Sequence, residues 1–249
     1  MTNKYESFNL EIEDNIANII LSRPEQLNSM SRKFWVELPE ILEEVNRNSE
    51  IRVLIISSTG KHFCAGMDLS AFDNGVANIP KEKRPDNARI GEALYRSARE
   101  LQEYISKLEK IRVPVIAAIH GGCIGGAVDL VTACDIRLAT TDAFFCIQEI
   151  NIGMAADVGT LQRLPRIIPD SKMRELAYTG RRMLADEAKE SGLVSDVYNS
   201  QEEMVNAAKE MANEIAKKSP IAIYGLKALM NYSRCLLYTS DAADEDLRV

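Results

Sequence analysis

Hydrophobic spacing divides the chain into short elements whose period changes repeatedly. Phe8 to Ile12 and Ile16 to Ser22 alternate or run apolar on either side of Asp14-Asn15, the pattern of a β-hairpin closed before Arg23-Pro24. Phe34, Trp35, Leu38, Ile41, Leu42 and Val45 then recur at helical spacing behind a capping Ser31, with Pro39 expected to kink the helix or shift its start. Arg52 to Ser57 reads as a short buried strand, and the polar, Pro-containing residues 73–87 as a loop suited to a lid or a variable insertion. Ala88 to Lys110 predicts a long amphipathic helix with Leu94, Leu101, Ile105 and Leu108 on one side. Further strands are predicted at Val113 to Ile119, Asp135 to Ala139, Ala143 to Ile147 and Leu193 to Tyr198. Helical segments are predicted near 158–164, 170–178, 185–191, 201–217 and 220–233. Strands and helices alternating in this way predict an α/β core with helices gathered toward the end of the chain.

Composition narrows the class. The chain has 249 residues, 46% hydrophobic and 27% charged, which suits one large globular domain or two small ones. A net charge of −7 argues against general nucleic-acid binding, which relies on a basic surface. No apolar run approaches the roughly 20 residues that span a bilayer, and the first residues lack an apolar or Arg-rich leader. Five cysteines (64, 123, 134, 146 and 235) without a C-x-x-C pair read as buried thiols in a reducing compartment. No zinc-ligand spacing, G-x-G-x-x-G or G-K-[ST] is present, so no metal or other cofactor is expected.

Candidate chemistry centres on Pro114 to Gly159. After the apolar run come glycines at 121, 122, 125 and 126, poor material for a helix interior but suited to a strand-to-helix junction whose N–H groups a ligand can approach. Asp129 follows Gly126 by three residues, one turn into the predicted helix and on the same side. Glu149 and Asp157 lie 20 and 28 residues beyond Asp129, all three among Ala, Ile, Val, Leu and Phe. Such acids are costly to bury without a partner or a role. Any one of them alone would read as a cap or a surface charge. His62 and His120 have no nucleophile signature nearby and read as packing or backbone-bonding residues.

The segments I-H-G-G-C-I-G-G-A-V-D-L, A-C-D-I-R and Q-E-I-N-I-G-M-A-A-D-V-G-T-L-Q-R-L-P, with L-S-R-P-E-Q-L-N-S-M and H-F-C-A-G-M-D-L upstream, resemble the enoyl-CoA hydratase/isomerase (crotonase) family and, within it, the dienoyl-CoA isomerase branch. The likeness runs to about Arg234. It implies a spiral of ββα turns over residues 1–195 and a helical region at 196–234 that joins subunits into trimers or dimers of trimers. It also implies an acyl-CoA thioester as substrate. By motif match, the N–H groups of Met67 and Gly126 form an oxyanion hole, with Lys61, Ala65 and Gly66 beside the CoA. Glu149 would take a proton from C2 of a 3,5-dienoyl-CoA, Asp157 would deliver one at C6, and Asp129 would tune the pair. Hydratases of the family usually carry two Glu and a Gly where this chain has Asp129, Glu149 and Asp157. A hydratase using Asp129 and Glu149, and a non-catalytic acyl-CoA- or RNA-binding relative, stand as alternatives. Three acids around one apolar cavity are expected to leave at least one protonated near neutrality. Ala127 replaces a frequent Gly and is expected to narrow the pocket. From Cys235 the chain reads C-L-L-Y-T-S-D-A-A-D-E, resembling a translated sequencing adapter, so 235–249 is set apart from the fold, against the alternative of a genuine acidic terminus. With the leaderless start, a bacterial cytoplasmic setting is expected, against the alternative of a peroxisomal or mitochondrial one whose signal would lie in the terminus that 235–249 replaces.

Overall fold

Asp14 and Asn15 take φ values of 49° and 68°, which brings strands β1 (Phe8–Glu13) and β2 (Ile16–Leu21) into an antiparallel hairpin with Glu13 opposite Ile16. Two-residue loops of this handedness match the twist of the strands they join. The computed structural model describes residues 5–68 and 86–246, with side chains through 233; the predicted lid at 73–87 lies almost wholly outside the described residues.

From β2 the sheet grows by parallel pairing through β3 (Val53–Ser58) and β4 (Val115–Ile119). A second, shorter layer starts at β5 (Gly122–Ile124), three residues after β4 ends. Between β4 and β5, Gly121 at φ 55° turns the chain from one layer to the other; a Cβ there would lie 2.3 Å from the Lys61 carbonyl oxygen. The next turn repeats this step: β6 (Ile136–Thr140) pairs with β4 in the large sheet, and β7 (Phe144–Cys146) pairs with β5 in the small one. Strand β8 (Met183–Leu184) closes the small sheet and β9 (Asp196–Tyr198) the large one, giving orders β1-β2-β3-β4-β6-β9 and β5-β7-β8. A bridge between Cys64 and Cys123 adds an earlier turn to the small layer. This is a spiral whose successive turns contribute one rung to each sheet. Because β9 is hydrogen-bonded to β6, the large sheet continues past residue 195.

Helices cover both faces of the large sheet. Along β3, Leu54 and Ile56 face a core shared with Phe34, Leu38, Ile41 and Leu42 of α1 (Arg32–Arg47), while Val53 and Ile55 face Met204, Ala208 and Ala212 of the later helix Gln201–Ala216. Alternation along a strand sends successive side chains to opposite layers, so a strand covered on both sides is apolar throughout. Each fully buried Val, Ile or Leu contributes about 1.5–3 kcal/mol. Ser31 caps α1 by accepting the Phe34 N–H at 3.3 Å, and Pro39 does not end the helix. Helix α2 (Asn87–Lys110) buries Ile105 and Leu108, but Leu94 is 55% exposed, so its apolar face is narrower at the N-terminal end than its spacing predicts.

Helices α3 (Gly126–Thr132), α4 (Thr160–Arg163), α5 (Asp170–Thr179), α6 (Ala185–Glu190), α7 (Gln201–Ala216) and α8 (Pro220–Asp246) complete the described chain. The α8 backbone stays helical past Cys235. The α8 helix is held to the core by Lys227, whose buried ammonium reaches the Leu108 and Val113 carbonyls and Asp135 Oδ2 at 3.2, 2.9 and 2.8 Å.

Candidate active site

Residues 63–66 run alongside 120–124 and are zipped to them: the Phe63 N–H donates to His120 O, the Cys64 N–H to Gly122 O, and the Ile124 N–H to Cys64 O, at 2.9, 3.1 and 3.1 Å. This pairing carries the two loops singled out by sequence to one place. Gly66 (φ 85°) fits because a Cβ there would lie 2.5 Å from Ile124 O, and 3.4 Å from Gly126 N. A Cβ on Gly126 would come within 2.9 Å of Met30 Sδ and 3.9 Å of Met67 N. Met30 engages the residues flanking Met67, its N–H donating to Gly66 O at 2.8 Å and its carbonyl accepting the Asp68 N–H at 3.1 Å. In a parallel bridge that pattern turns the Met67 N–H away from Met30. The Gly126 N–H is the first donor of α3 and has no carbonyl within its own helix to meet. The structure therefore brings two main-chain N–H groups beside one another, one of them at a positive helix end. The Met67 side chain packs under Trp35, whose Nε1 donates to its sulfur at 3.3 Å.

Asp129 lies on the first turn of α3, 1% exposed. Its Oδ1 accepts both the N–H and the hydroxyl of Thr160, at 2.6 and 2.7 Å. Its Oδ2 is buried with no hydrogen-bond partner among the described residues. Burial pushes this carboxyl up to about 7; the Thr160 bonds and the Arg163 charge oppose that, and the Glu149 charge adds to it. Glu149 opens a short 3-10 turn after β7, half-buried, with Oε1 only 3.1 Å from where a Gly125 Cβ would stand. Burial, then the Asp157 charge, hold the Glu149 carboxyl above its ordinary range, against its own backbone N–H, and its Oε2 also is buried without a partner among the described residues. Glu149 therefore sits against the glycine turn, with Asp129 and Asp157 each within electrostatic reach.

Asp157 corrects one expectation. Its side chain is exposed, because Ala156 and Val158 on either side of it are turned inward. Its carbonyl is tied to α2 by Gln102 Nε2 at 2.7 Å. The three acids thus do not share one enclosed apolar channel: Asp129 is innermost and the one that burial pushes up to about 7, Glu149 is half-covered and Asp157 is outermost. A cleft of about 770 Å³ lined by Tyr5, Pro39, Glu40 and Arg47 lies on α1 and contains none of these acids.

The remaining sequence candidates divide cleanly. Lys61 is exposed, and the Ala65 N–H is used by Leu27 O at 3.0 Å. Each histidine makes a backbone contact, as expected: His62 Nδ1 accepts the Gly122 N–H, and His120 Nε2 lies 2.9 Å from Gly60 O. Sequence reasoning missed Thr160, Arg163 and Arg182. Arg163 packs beneath Gly159, bonds Glu109 at 2.9 Å and Ser106 at 3.0 Å, and so ties α4 to α2. Arg182 stands 4.3 Å over the Phe144 ring, and its charge and that of Lys61 both help to hold His62 below its ordinary value, after burial. Only the buried acid at Asp129 could have pointed to Thr160, since an acid inside a core needs donors. Among the described residues no group of three or more His, Cys, Asp or Glu could hold a metal ion.

Comparison with known proteins bears on what this site is. The family model described as "Enoyl-CoA hydratase/isomerase" matches residues 11–237. A rat protein named "Delta(3,5)-Delta(2,4)-dienoyl-CoA isomerase, mitochondrial" is 45% identical over 232 residues, covering 92% of this chain and 70% of that one. An Arabidopsis thaliana protein with the same name, "peroxisomal", is 43% identical over 222 residues, covering 89% of this chain and 79% of that one. The crystal structure of an enoyl-CoA hydratase from Bacillus anthracis superposes with a TM-score of 0.81 at 32% identity, over 97% of this chain and 89% of that one. The chain belongs to the enoyl-CoA hydratase/isomerase family and has its crotonase fold.

Proposed function

We propose that this enzyme moves the double bonds of a 3,5-dienoyl-CoA to give the 2,4-dienoyl-CoA, a step in fatty-acid β-oxidation. Glu149 takes a proton from C2. The electrons delocalise through the diene onto the thioester oxygen, which the Met67 and Gly126 N–H groups stabilise. Donors preset at the point where charge develops supply about 3–4 kcal/mol each in comparable sites. Asp157 then adds a proton at C6, the dienolate collapses to the conjugated product, and the two carboxyls re-equilibrate with water. The exposure of Asp157 suits that exchange. The observation that carries the reading is the placement of Glu149 against the Gly125 turn, beside the paired amides and between two other acids. The names of the rat and Arabidopsis relatives support the same reaction.

Lys61, Ala65 and Gly66 would lie along the CoA, with Arg182 as a second cation near Lys61. Coenzyme A belongs to the substrate, and the reaction needs no resident cofactor. The exposed Ile221, Leu226, Leu229 and Met230 of α8 suit burial against further copies of the chain, as a trimer or dimer of trimers, which sizing with light scattering would read. The relatives are named for the mitochondrion and the peroxisome; a bacterial cytoplasm is our proposal for this chain, and cell fractionation tests it. No helix among the described residues is long and apolar enough to cross a membrane.

One observation favours a second reading. With Asp129 and Glu149 the two covered acids and Asp157 open to solvent, the inner pair could instead activate water for hydration of a 2-enoyl-CoA. A spectrophotometric assay separates the two. The isomerase reading predicts loss of the 3,5-diene absorbance as the conjugated thioester band grows, with slow or no hydration of trans-2-enoyl-CoA. Rapid hydration with no conjugation change would favour the second reading.

A further inference from the structure

Asp129 is the most deeply buried acid of the site, and its two oxygens are treated differently. Oδ1 receives two short hydrogen bonds from one residue, the Thr160 N–H at 2.6 Å and hydroxyl at 2.7 Å, while Oδ2 is buried without a partner among the described residues. An oxygen already accepting two donors is a poor place for a proton. The backbone at Thr160 is itself fixed: Gly159 stands at φ 133° over the Arg163 guanidinium, which is anchored to Glu109 and Ser106 on α2. The charged or titratable groups facing the Asp129 carboxyl are Glu149 after β7, Arg163 on α4 and the Cys123 thiol on β5.

We propose that Thr160 is a positioning residue of the active site, which commits Oδ1 of Asp129 to two donors and so makes Oδ2 the atom that takes up and gives up this carboxyl's proton. The assignment rests on reading Asp129 as part of the proton-transfer set. Its consequence is electrostatic. A neutral Asp129, with its proton on Oδ2, adds no negative charge beside Glu149 and leaves that base free to ionise. Meanwhile the two Thr160 donors keep the neutral form from being favoured beyond reach of physiological pH. Removing the hydroxyl takes away one bond to the ionised form and raises the midpoint at which Asp129 titrates.

The test is a titration of the full chain carrying ¹³C-labelled aspartate side chains, with the Asp129 signal identified by its absence in Asp129→Asn. In Thr160→Val the Asp129 midpoint is expected to rise by about one pH unit or more, a tenfold change in proton affinity. Thr160→Ser, which keeps the hydroxyl, is expected to titrate as the wild type. If Thr160→Val does not fold, Thr160→Ala carries the same prediction. An unmoved midpoint in the folded hydroxyl-less variant, or an equal rise in Thr160→Ser, would overturn the assignment. This readout needs no substrate, so it stands or falls apart from the proposed reaction. On 3,5-dienoyl-CoA, the limb of the kcat/KM–pH profile that follows Asp129 is expected to move with the midpoint. A shifted midpoint with an unshifted profile would leave Thr160 structural and overturn its positioning role.

Discussion

Replacing Asp129 by Asn tests the electrostatics of the inner site through stability alone. The carboxyl moves from an ordinary value of 3.8 to about 7 on folding, with burial as the main cause. Between those values the folded protein holds a proton that the unfolded chain has lost, so this group makes stability fall as pH rises from about 4 to about 7. Below about pH 4 both states are protonated and the cost is absent; above about pH 7 it is fully present. At ~1.4 kcal/mol per pH unit, the shift amounts to roughly 4 kcal/mol at pH 8. Asn keeps an acceptor for the Thr160 donors and never ionises. Urea unfolding at a fixed protein concentration, followed from pH 4 to pH 8, is the assay. Asp129→Asn is expected to match the wild type near pH 4 and to exceed it by a few kcal/mol at pH 8, at the expense of activity. A wild-type-minus-variant difference that stays flat across this range would refute the reasoning, because it would mean that Asp129 ionises as easily in the folded protein as out of it.

Gly126→Ala places a Cβ 2.9 Å from Met30 Sδ and beside Met67 N. The flexible thioether can give way, so melting temperature should hold nearly constant; the alanine keeps its N–H, but its methyl crowds the space between the two amides, and kcat should drop by about 100-fold or more as the thioester oxygen is kept from both donors. Gly66→Ala is different: its Cβ would strike a backbone oxygen at 2.5 Å from a φ of 85°, so stability should fall by about 1–3 kcal/mol together with activity, measured by denaturant unfolding. Lys227→Met strips an ion pair and two carbonyl bonds from a residue 4% exposed and should lower unfolding free energy by roughly 3 kcal/mol, with α8 exchanging its amide hydrogens faster.

Much of the fold was legible because burial on both faces writes itself into composition. Strand β4 is apolar at every position and β3 over its first four, and α1 carries both its cap and its stripe. Strands β5 and β8 were not legible: three and two residues long, they have no period of their own and exist because the spiral brings β7 between them. At the site, the glycines near Met67 and Gly126 announced a close backbone approach, and the structure brings those loops together. What spacing could not give was depth. Asp129, Glu149 and Asp157 look alike as acids among apolar neighbours, yet their exposure is set by which flanking residues turn inward, as Ala156 and Val158 do around Asp157. Thr160 was invisible for a related reason, since its two bonds to Asp129 span 31 residues.

The proposed reaction turns on two different carboxyls acting at the two ends of the diene, the outer one in exchange with water. Turnover of a 3,5-dienoyl-CoA in deuterium oxide, with the product examined by NMR, tests this most directly. A deuterium at C6, with Asp157→Asn slowing the reaction by about 100-fold or more, is the predicted result. Hydrogen carried from C2 to C6 without exchange, or an Asp157→Asn enzyme as fast as the wild type, would contradict it.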